Sequence, residues 1–136
     1  MGRVILDLSV LIPLRKNRLL SKLTRDIKSG RYAVAAYGLN RLRRNPVWRD
    51  WVQRNGANLR VRPMTNEENQ LFYRLLIDHG TPECNPMISD DDLMAIAIAA
   101  SRGWTLVMTD KAAERIARNL QVQIVAADDF IRQWRR

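Results

Sequence analysis

The chain has 136 residues, 46% of them hydrophobic, which fits a single domain over residues 1–136 and excludes global disorder. Its only cysteine, Cys84, excludes an intrachain disulfide and suits the cytoplasm, and no apolar run approaches the roughly 20 residues that cross a bilayer. Lysine and arginine number 23 against 14 acids, and this net charge of +9 favours a polyanionic partner such as RNA.

Apolar spacing predicts strands that alternate with helices along the chain. The run 3–7 predicts a buried first strand, and Pro13 suggests the start of a basic helix that ends at Gly30. Thr65 and Glu68 have the spacing of a capping box. Further strands are predicted at 32–36, 59–61, 104–108 and 122–125, and helices at 38–44, 46–55, 65–78, 93–100 and 111–119. This alternation predicts the α/β class with a mostly parallel sheet.

Three acids follow apolar segments at places where a parallel sheet would bring them together. Asp7 ends the first predicted strand, and Asp110 closes the apolar run that contains the predicted strand 104–108. Asp92 ends the cluster Asp90-Asp91-Asp92, which opens an apolar helix. Ligands of open α/β sheets bind beyond the carboxyl ends of the strands, so these acids are expected to face one crevice. Converging carboxylates favour Mg²⁺ or Mn²⁺, which prefer oxygen ligands.

Each of these acids also has a purely structural interpretation. Asp7 can cap the next turn through Ser9, the acids 90–92 suit the positive end of a helix dipole, and Asp110 suits the N-cap of the helix 111–119. A carboxylate at the end of a buried strand nevertheless costs free energy unless it is paired or bound. Jointly, the three positions favour a metal site.

Other catalytic chemistries lack their residues in this sequence. His79 is the only histidine and lies at a predicted helix end, which argues against a histidine-based triad or a zinc site. A phosphatase with an Asp-x-Asp motif would need an acid where Ser9 stands, and a receiver domain would need an acidic pair where Asp7 stands alone.

The basic residues are mostly arginines, whose planar fork suits phosphate oxygens. Solvated surface and an acidic protein partner are the alternative interpretations of these charges. The candidates for RNA binding are Arg15, Lys16, Arg41, Arg43 and Arg44.

The order of these pieces resembles the PIN domain, a family of metal-dependent ribonucleases, and within it the small toxins of VapC type. The first matching segment is Val4-Ile5-Leu6-Asp7-Leu8-Ser9. The others are the Ala-rich segment from Asp92 to Gly103, the strand Leu106-Val107-Met108-Thr109-Asp110, and the closing strand and helix over 122–131.

The resemblance implies a three-layer α/β/α fold and an endoribonuclease that cleaves RNA phosphodiesters through a metal-activated water. It also implies an antitoxin protein as partner and a homodimer. The positions that match the catalytic residues and ligands of Mg²⁺ or Mn²⁺ are Asp7, Asp92 and Asp110. Asp90 and Asp91 are candidates for substitute ligands or for partners of the ligands. Ser9 and Thr109 match the supporting hydroxyls.

The sequence departs from the family pattern at one position. The family carries a glutamate on the helix after the second strand, and Asn40 or Arg41 stands there. An arginine would repel a cation, whereas Asn40 offers a neutral oxygen and is a further supporting candidate. Glu67, Glu68 and Glu83 are the possible replacements. The departure leaves open a catalytically degenerate module that binds RNA or protein.

Overall fold

A parallel four-stranded sheet lies at the centre of the computed structural model, which describes residues 3–61 and 64–134. Its strands follow the order β2-β1-β3-β4. They are β1 (Val4–Leu6), β2 (Tyr32–Ala33), β3 (Thr105–Met108) and β4 (Ile124–Ala126). In the register of the sheet, Ile5 of β1 lies between Ala33 of β2 and Leu106 of β3. The predicted α/β class is therefore confirmed, and β1 is an interior strand of the sheet.

Within the two ranges just given there are eight α-helices, of which seven lie between strands and the last follows β4. They are α1 (Leu8–Lys16), α2 (Leu20–Asp26), α3 (Ala36–Arg43), α4 (Arg49–Leu59), α5 (Asn66–His79), α6 (Asp90–Arg102), α7 (Lys111–Asn119) and α8 (Ala127–Trp134). A 3-10 turn, Ile27–Ser29, follows α2. None of the described helices combines the length and the apolar character needed to span a membrane.

The helices form a layer on each face of the sheet. Successive strand side chains point to opposite faces, and neighbouring residues of β1 accordingly belong to different cores. Ile5 packs in the cluster that holds the apolar residues of α5, α6 and α7. Leu6 packs in a second cluster with residues of α1, α2, α3, α4 and α8. The architecture is the expected three-layer α/β/α arrangement.

The first helix is where the sequence-based prediction was wrong. α1 begins at Leu8, directly after β1, and Pro13 lies inside it. Burial of Val10 and Leu11, both fully inaccessible, outweighs the preference of proline for a helix start. The predicted basic helix is also interrupted, because Arg18 adopts a positive φ of 60° between α1 and α2.

The predicted strand at 59–61 is likewise wrong in its extent. Helix α4 continues to Leu59, and among the described residues a single parallel bridge, between Val34 and Arg60, extends the sheet there. The remaining helices and strands lie within a few residues of their predicted positions.

A buried ion pair stabilises the start of α5. The predicted capping box is present: the Glu68 N–H donates to Thr65 Oγ1 (3.2 Å), and the Thr65 N–H donates to Glu68 Oε1 (3.0 Å). Arg102 of α6 donates to both carboxylate oxygens of Glu68, at 2.6 and 2.9 Å. This hydrogen bond to Arg102 is the main reason that the pKa of Glu68 lies below its usual value.

Replacing Glu68 with alanine should therefore destabilise the protein by about 2–4 kcal/mol, because it leaves Arg102 and the Thr65 N–H without their acceptor. Chemical denaturation measures the loss. Glu67→Ala is the matched control, since Glu67 lies exposed in the same helical turn. Equal losses in the two variants would contradict the stabilising role of the ion pair.

Candidate metal centre

Three buried carboxylates meet where β1 ends. Asp7, Asp91 and Asp92 each offer an oxygen, and these oxygens lie within 4.8 Å of one another. The three residues are 4%, 5% and 9% exposed, so water reaches them poorly. We call these residues the acidic cluster. Three like charges at this separation repel strongly unless a cation or protons neutralise them.

The sheet and α6 bring the acidic cluster together. Asp7 follows β1 directly, and its N–H donates to the carbonyl of Val107 in β3 (2.9 Å), which fixes its place at the sheet edge. The other two acids occupy the first turn of α6, after the N-cap Ser89. Acids are favoured in this turn by the helix dipole. The apolar residues of α6 pack against the sheet and hold that turn beside Asp7.

Two hydroxyls orient Asp7. Ser9 Oγ donates to Asp7 Oδ2, and Ser9 Oγ lies 2.7 Å from Thr109 Oγ1. A serine hydroxyl has one hydrogen, so Thr109 is the donor of the second bond. Ser9 thus contacts Asp7 directly and Thr109 acts on Asp7 through Ser9, as expected for residues that fix the orientation of a metal ligand.

Arg41 reaches the acidic cluster from α3. Its Nη1 lies 2.9 Å from Asp91 Oδ1, and its Nη2 lies 3.1 Å from Asp90 Oδ1. The charges on Arg41 and Asp91 attract, but the N–H groups are not aimed at Asp91 Oδ1. That buried oxygen accordingly has no hydrogen-bond partner among the described residues. A buried acceptor without a donor is costly, and a bound cation would relieve the cost.

The pKa values of Asp91 and Asp92 both lie above the ordinary value of an aspartate, chiefly because the two carboxyls are buried. Burial, a hydrogen bond to Asp7 and the charge of Asp7 together raise the pKa of Asp92 to about 8. Burial and the charge of Asp92 raise the pKa of Asp91, although Arg41 acts in the opposite direction. The Ser89 side chain hydrogen-bonds to both Asp91 and Asp92 and lowers these pKa values in part. Three carboxylates with one oxygen that accepts no hydrogen bond among the described residues fit a hard divalent ion such as Mg²⁺ or Mn²⁺.

These shifts predict how the stability of the metal-free protein depends on pH. The folded pKa of Asp92, about 8, lies above the ordinary value of 3.8, so the folded state binds the proton more tightly than the unfolded state. The resulting stabilisation is complete below about pH 4 and is lost as the pH rises through about 8. Asp91 acts in the same direction.

The melting temperature in EDTA should therefore fall between pH 5 and pH 8.5, by about 5 °C or more for a domain of this size. Mn²⁺ should restore it more at pH 8.5 than at pH 5, because metal binding requires the deprotonated carboxylates. Thermal melts across this range test the prediction. An Mn²⁺ response that is equal at both pH values would contradict it.

The other predicted site residues lie around the cluster. Asp110 is exposed and caps α7, accepting the N–H groups of Ala112 (2.8 Å) and Ala113 (3.2 Å). It is not part of the three-carboxylate group, but its charge still raises the pKa of Asp92. Asp90 is 47% exposed on its side chain and pairs with Arg41.

The candidate replacements for the missing glutamate do not join the acidic cluster. Glu68 is committed to Arg102. Glu67 and Glu83 are exposed, and neither belongs to the one group of ligand-type side chains found among the described residues. Asn40 is half-buried and lines a surface cleft with Arg41 and Asp90.

The basic candidates divide between two places. Arg41, Arg43 and Arg44 are exposed at the end of α3, and two of them, Arg41 and Arg44, line a cleft with Asp90 of α6. Arg15 and Lys16 lie exposed in the last turn of α1, two helical turns beyond the end that carries Asp7. They contribute positive charge at a distance from the acidic cluster.

No protein-family model matches the chain, and no curated protein matches it.

Proposed function

We propose that this protein is a metal-dependent endoribonuclease whose acidic cluster holds Mg²⁺ or Mn²⁺. The observation that carries the proposal is the buried group of Asp7, Asp91 and Asp92 at the carboxyl end of a parallel sheet, in a chain of net charge +9. Acids concentrated in a basic protein suit a site that binds cations and handles a polyanion.

The roles of the residues follow from their contacts. The three acids of the cluster would bind the ion, and the hydroxyls of Ser9 and Thr109 hold Asp7 in one orientation. Bound there, Mg²⁺ or Mn²⁺ would lower the pKa of a water and neutralise charge on phosphoryl oxygens. Asp110 adds negative potential next to Asp92.

RNA is the favoured polyanion because the resemblance to PIN-domain ribonucleases suggests it. The exposed arginines of α3 would contact its phosphates, and Arg15 and Lys16 would extend the contact over the surface. A single strand is favoured over a duplex, because its backbone can bend into a narrow site. An antitoxin partner and a homodimer are further parts of this proposal and rest only on the resemblance to VapC-type toxins. A cytoplasmic location is also proposed, and the single cysteine, Cys84, favours it.

A second candidate function is a non-catalytic module that binds RNA or protein. The contact of Arg41 with Asp91 favours it, since an arginine already neutralises part of the charge that a metal would neutralise. The sequence also favours the non-catalytic module, because Asn40 or Arg41 stands where PIN-domain ribonucleases carry a glutamate.

Cleavage of a mixed pool of single-stranded RNA with Mg²⁺ or Mn²⁺ separates the two functions. EDTA should abolish cleavage, and Asp7→Asn should lower its rate by more than about a hundredfold, because even indirect partners of metal ligands contribute up to that factor. Asp129→Asn is the control, as that carboxylate is 64% exposed on α8. RNA binding without cleavage under any metal would overturn the nuclease and favour the module.

A further inference from the structure

A cleft of about 240 Å³ opens beside the acidic cluster. Tyr37, Asn40, Arg41, Arg44 and Asp90 line it. The cleft and the cluster share a wall, because Arg41 contacts both Asp90 in the cleft and Asp91 in the cluster. Its volume lies below the roughly 300–1,000 Å³ of pockets that enclose whole small molecules, so it has room for part of a longer ligand.

The lining combines an aromatic ring with unpaired positive charge. The Tyr37 ring packs edge-to-face on Phe72, with centroids 5.7 Å apart, and Tyr37 remains 44% exposed. This contact holds the ring in place and leaves surface open for stacking. Arg44 is exposed and forms no ion pair with any carboxylate in the described ranges. Arg41 pairs with Asp90 and weakens the repulsion that this carboxylate exerts on an anion.

A nucleotide fits this set of groups better than other anions do. An aromatic ring stacks on any base, and a free arginine binds the adjoining phosphate. Asn40 adds an amide that can both donate to and accept from the edge of a base. The base must be unstacked to reach the ring, which favours a single strand. An acidic protein segment would use Arg44 and gain nothing from Tyr37.

We propose that this cleft binds one nucleotide of single-stranded RNA next to the phosphodiester held at the acidic cluster, with its base on Tyr37 and its phosphate on Arg44. The proposal rests on the proposed nuclease function for the identity of the neighbouring phosphodiester. The binding itself can be measured without catalysis.

The test measures the affinity of a fluorescein-labelled RNA hexanucleotide of mixed sequence for the full chain in EDTA, where no metal-dependent cleavage occurs. Tyr37→Ala should weaken binding roughly tenfold, which is within the range for loss of one base–aromatic stack. Arg44→Ala should weaken binding and lower the slope of log affinity against log salt by about 1.

Helix α5 supplies matched controls. Tyr73 is 59% exposed and also packs on Phe72, and Arg74 is exposed next to it, but neither lines the cleft. Tyr73→Ala and Arg74→Ala should change affinity less than twofold. If thermal melts show that Tyr37→Ala does not fold, Tyr37→Leu keeps an apolar contact with Phe72 and removes the aromatic ring.

An abasic hexanucleotide and hexaglutamate identify the ligand. The abasic strand should bind as weakly to the unmodified protein as the full RNA binds to Tyr37→Ala, and it should not respond to that substitution. Equal effects of Tyr37→Ala and Tyr73→Ala would overturn the proposal. So would displacement of the RNA by hexaglutamate at equal concentration, which would point to an acidic protein segment.

The outcome is independent of the nuclease assay. RNA binding that depends on Tyr37, in a protein that cleaves no RNA with any metal, would support nucleotide binding in the cleft and overturn the proposed nuclease function. If Tyr37→Ala and Arg44→Ala cleave RNA with an unchanged KM, the proposal of nucleotide binding in the cleft is overturned and the proposed nuclease function stands.

Discussion

The Asp92→Asn variant is expected to melt at a higher temperature than the unmodified protein in EDTA at pH 8, and to lose its response to Mn²⁺. Asp92 lies beside Asp7 in a buried site, and this proximity contributes to the rise in its pKa to about 8. An asparagine amide is neutral at every pH and can donate to Asp7, as a protonated Asp92 does. The substitution should therefore remove repulsion and keep the contact.

The expected gain in EDTA is about 5 °C, which corresponds to between 1 and 2 kcal/mol for a domain of this size. The Mn²⁺-induced rise in melting temperature should disappear, and cleavage should fall with it. These opposite effects on stability and function distinguish a metal ligand from a structural carboxylate. Asp129→Asn should change neither quantity. A lower melting temperature for Asp92→Asn in EDTA would show that the carboxylate stabilises α6 as a cap.

The general location of the site follows from the sequence because topology dictates it. A buried strand that ends in Asp7 must place this acid at the sheet edge, and a parallel neighbour brings Thr109 to the same edge. The capping role of Asp110 follows equally from local spacing, because its carboxylate is within reach of the first N–H groups of α7.

The choice among the three consecutive acids does not follow from the sequence. Successive residues of a helix point about 100° apart, so the acid that faces the sheet depends on where the helix begins. The sequence predicts a start at Leu93, whereas α6 begins at Asp90 and places both Asp91 and Asp92 in the interior. A shift of three residues in the helix start thus makes Asp91 a member of the acidic cluster.

The role of Arg41 could not be read from the sequence for a different reason. Its partners lie about 50 residues away on another helix, and a long side chain reaches them only once α3 and α6 are packed. The sequence predicts that an arginine at this position repels a cation. The structure adds that the guanidinium is already paired with Asp90 and Asp91.

Arg41→Glu should therefore raise the affinity for Mn²⁺ by roughly tenfold or more, because it reverses a full charge within a few ångströms of the cluster. The metal-free protein should melt at a lower temperature, since two ion pairs are lost and two carboxylates gain an acidic neighbour. Titration calorimetry with Mn²⁺ at pH 7.5 measures the affinity, and melts in EDTA measure the stability.

Two further variants separate charge from shape at this position. Arg41→Lys keeps the positive charge and should bind Mn²⁺ about as tightly as the unmodified protein does. Arg41→Gln removes the charge and should give an affinity between those of Arg41→Lys and Arg41→Glu. If Mn²⁺ binds no more tightly to Arg41→Glu than to the unmodified protein, Arg41 does not compete with the metal. An affinity for Mn²⁺ that rises from Arg41→Lys through Arg41→Gln to Arg41→Glu would instead show that the charge at this one position, next to Asp91, sets how strongly the acidic cluster attracts a divalent ion.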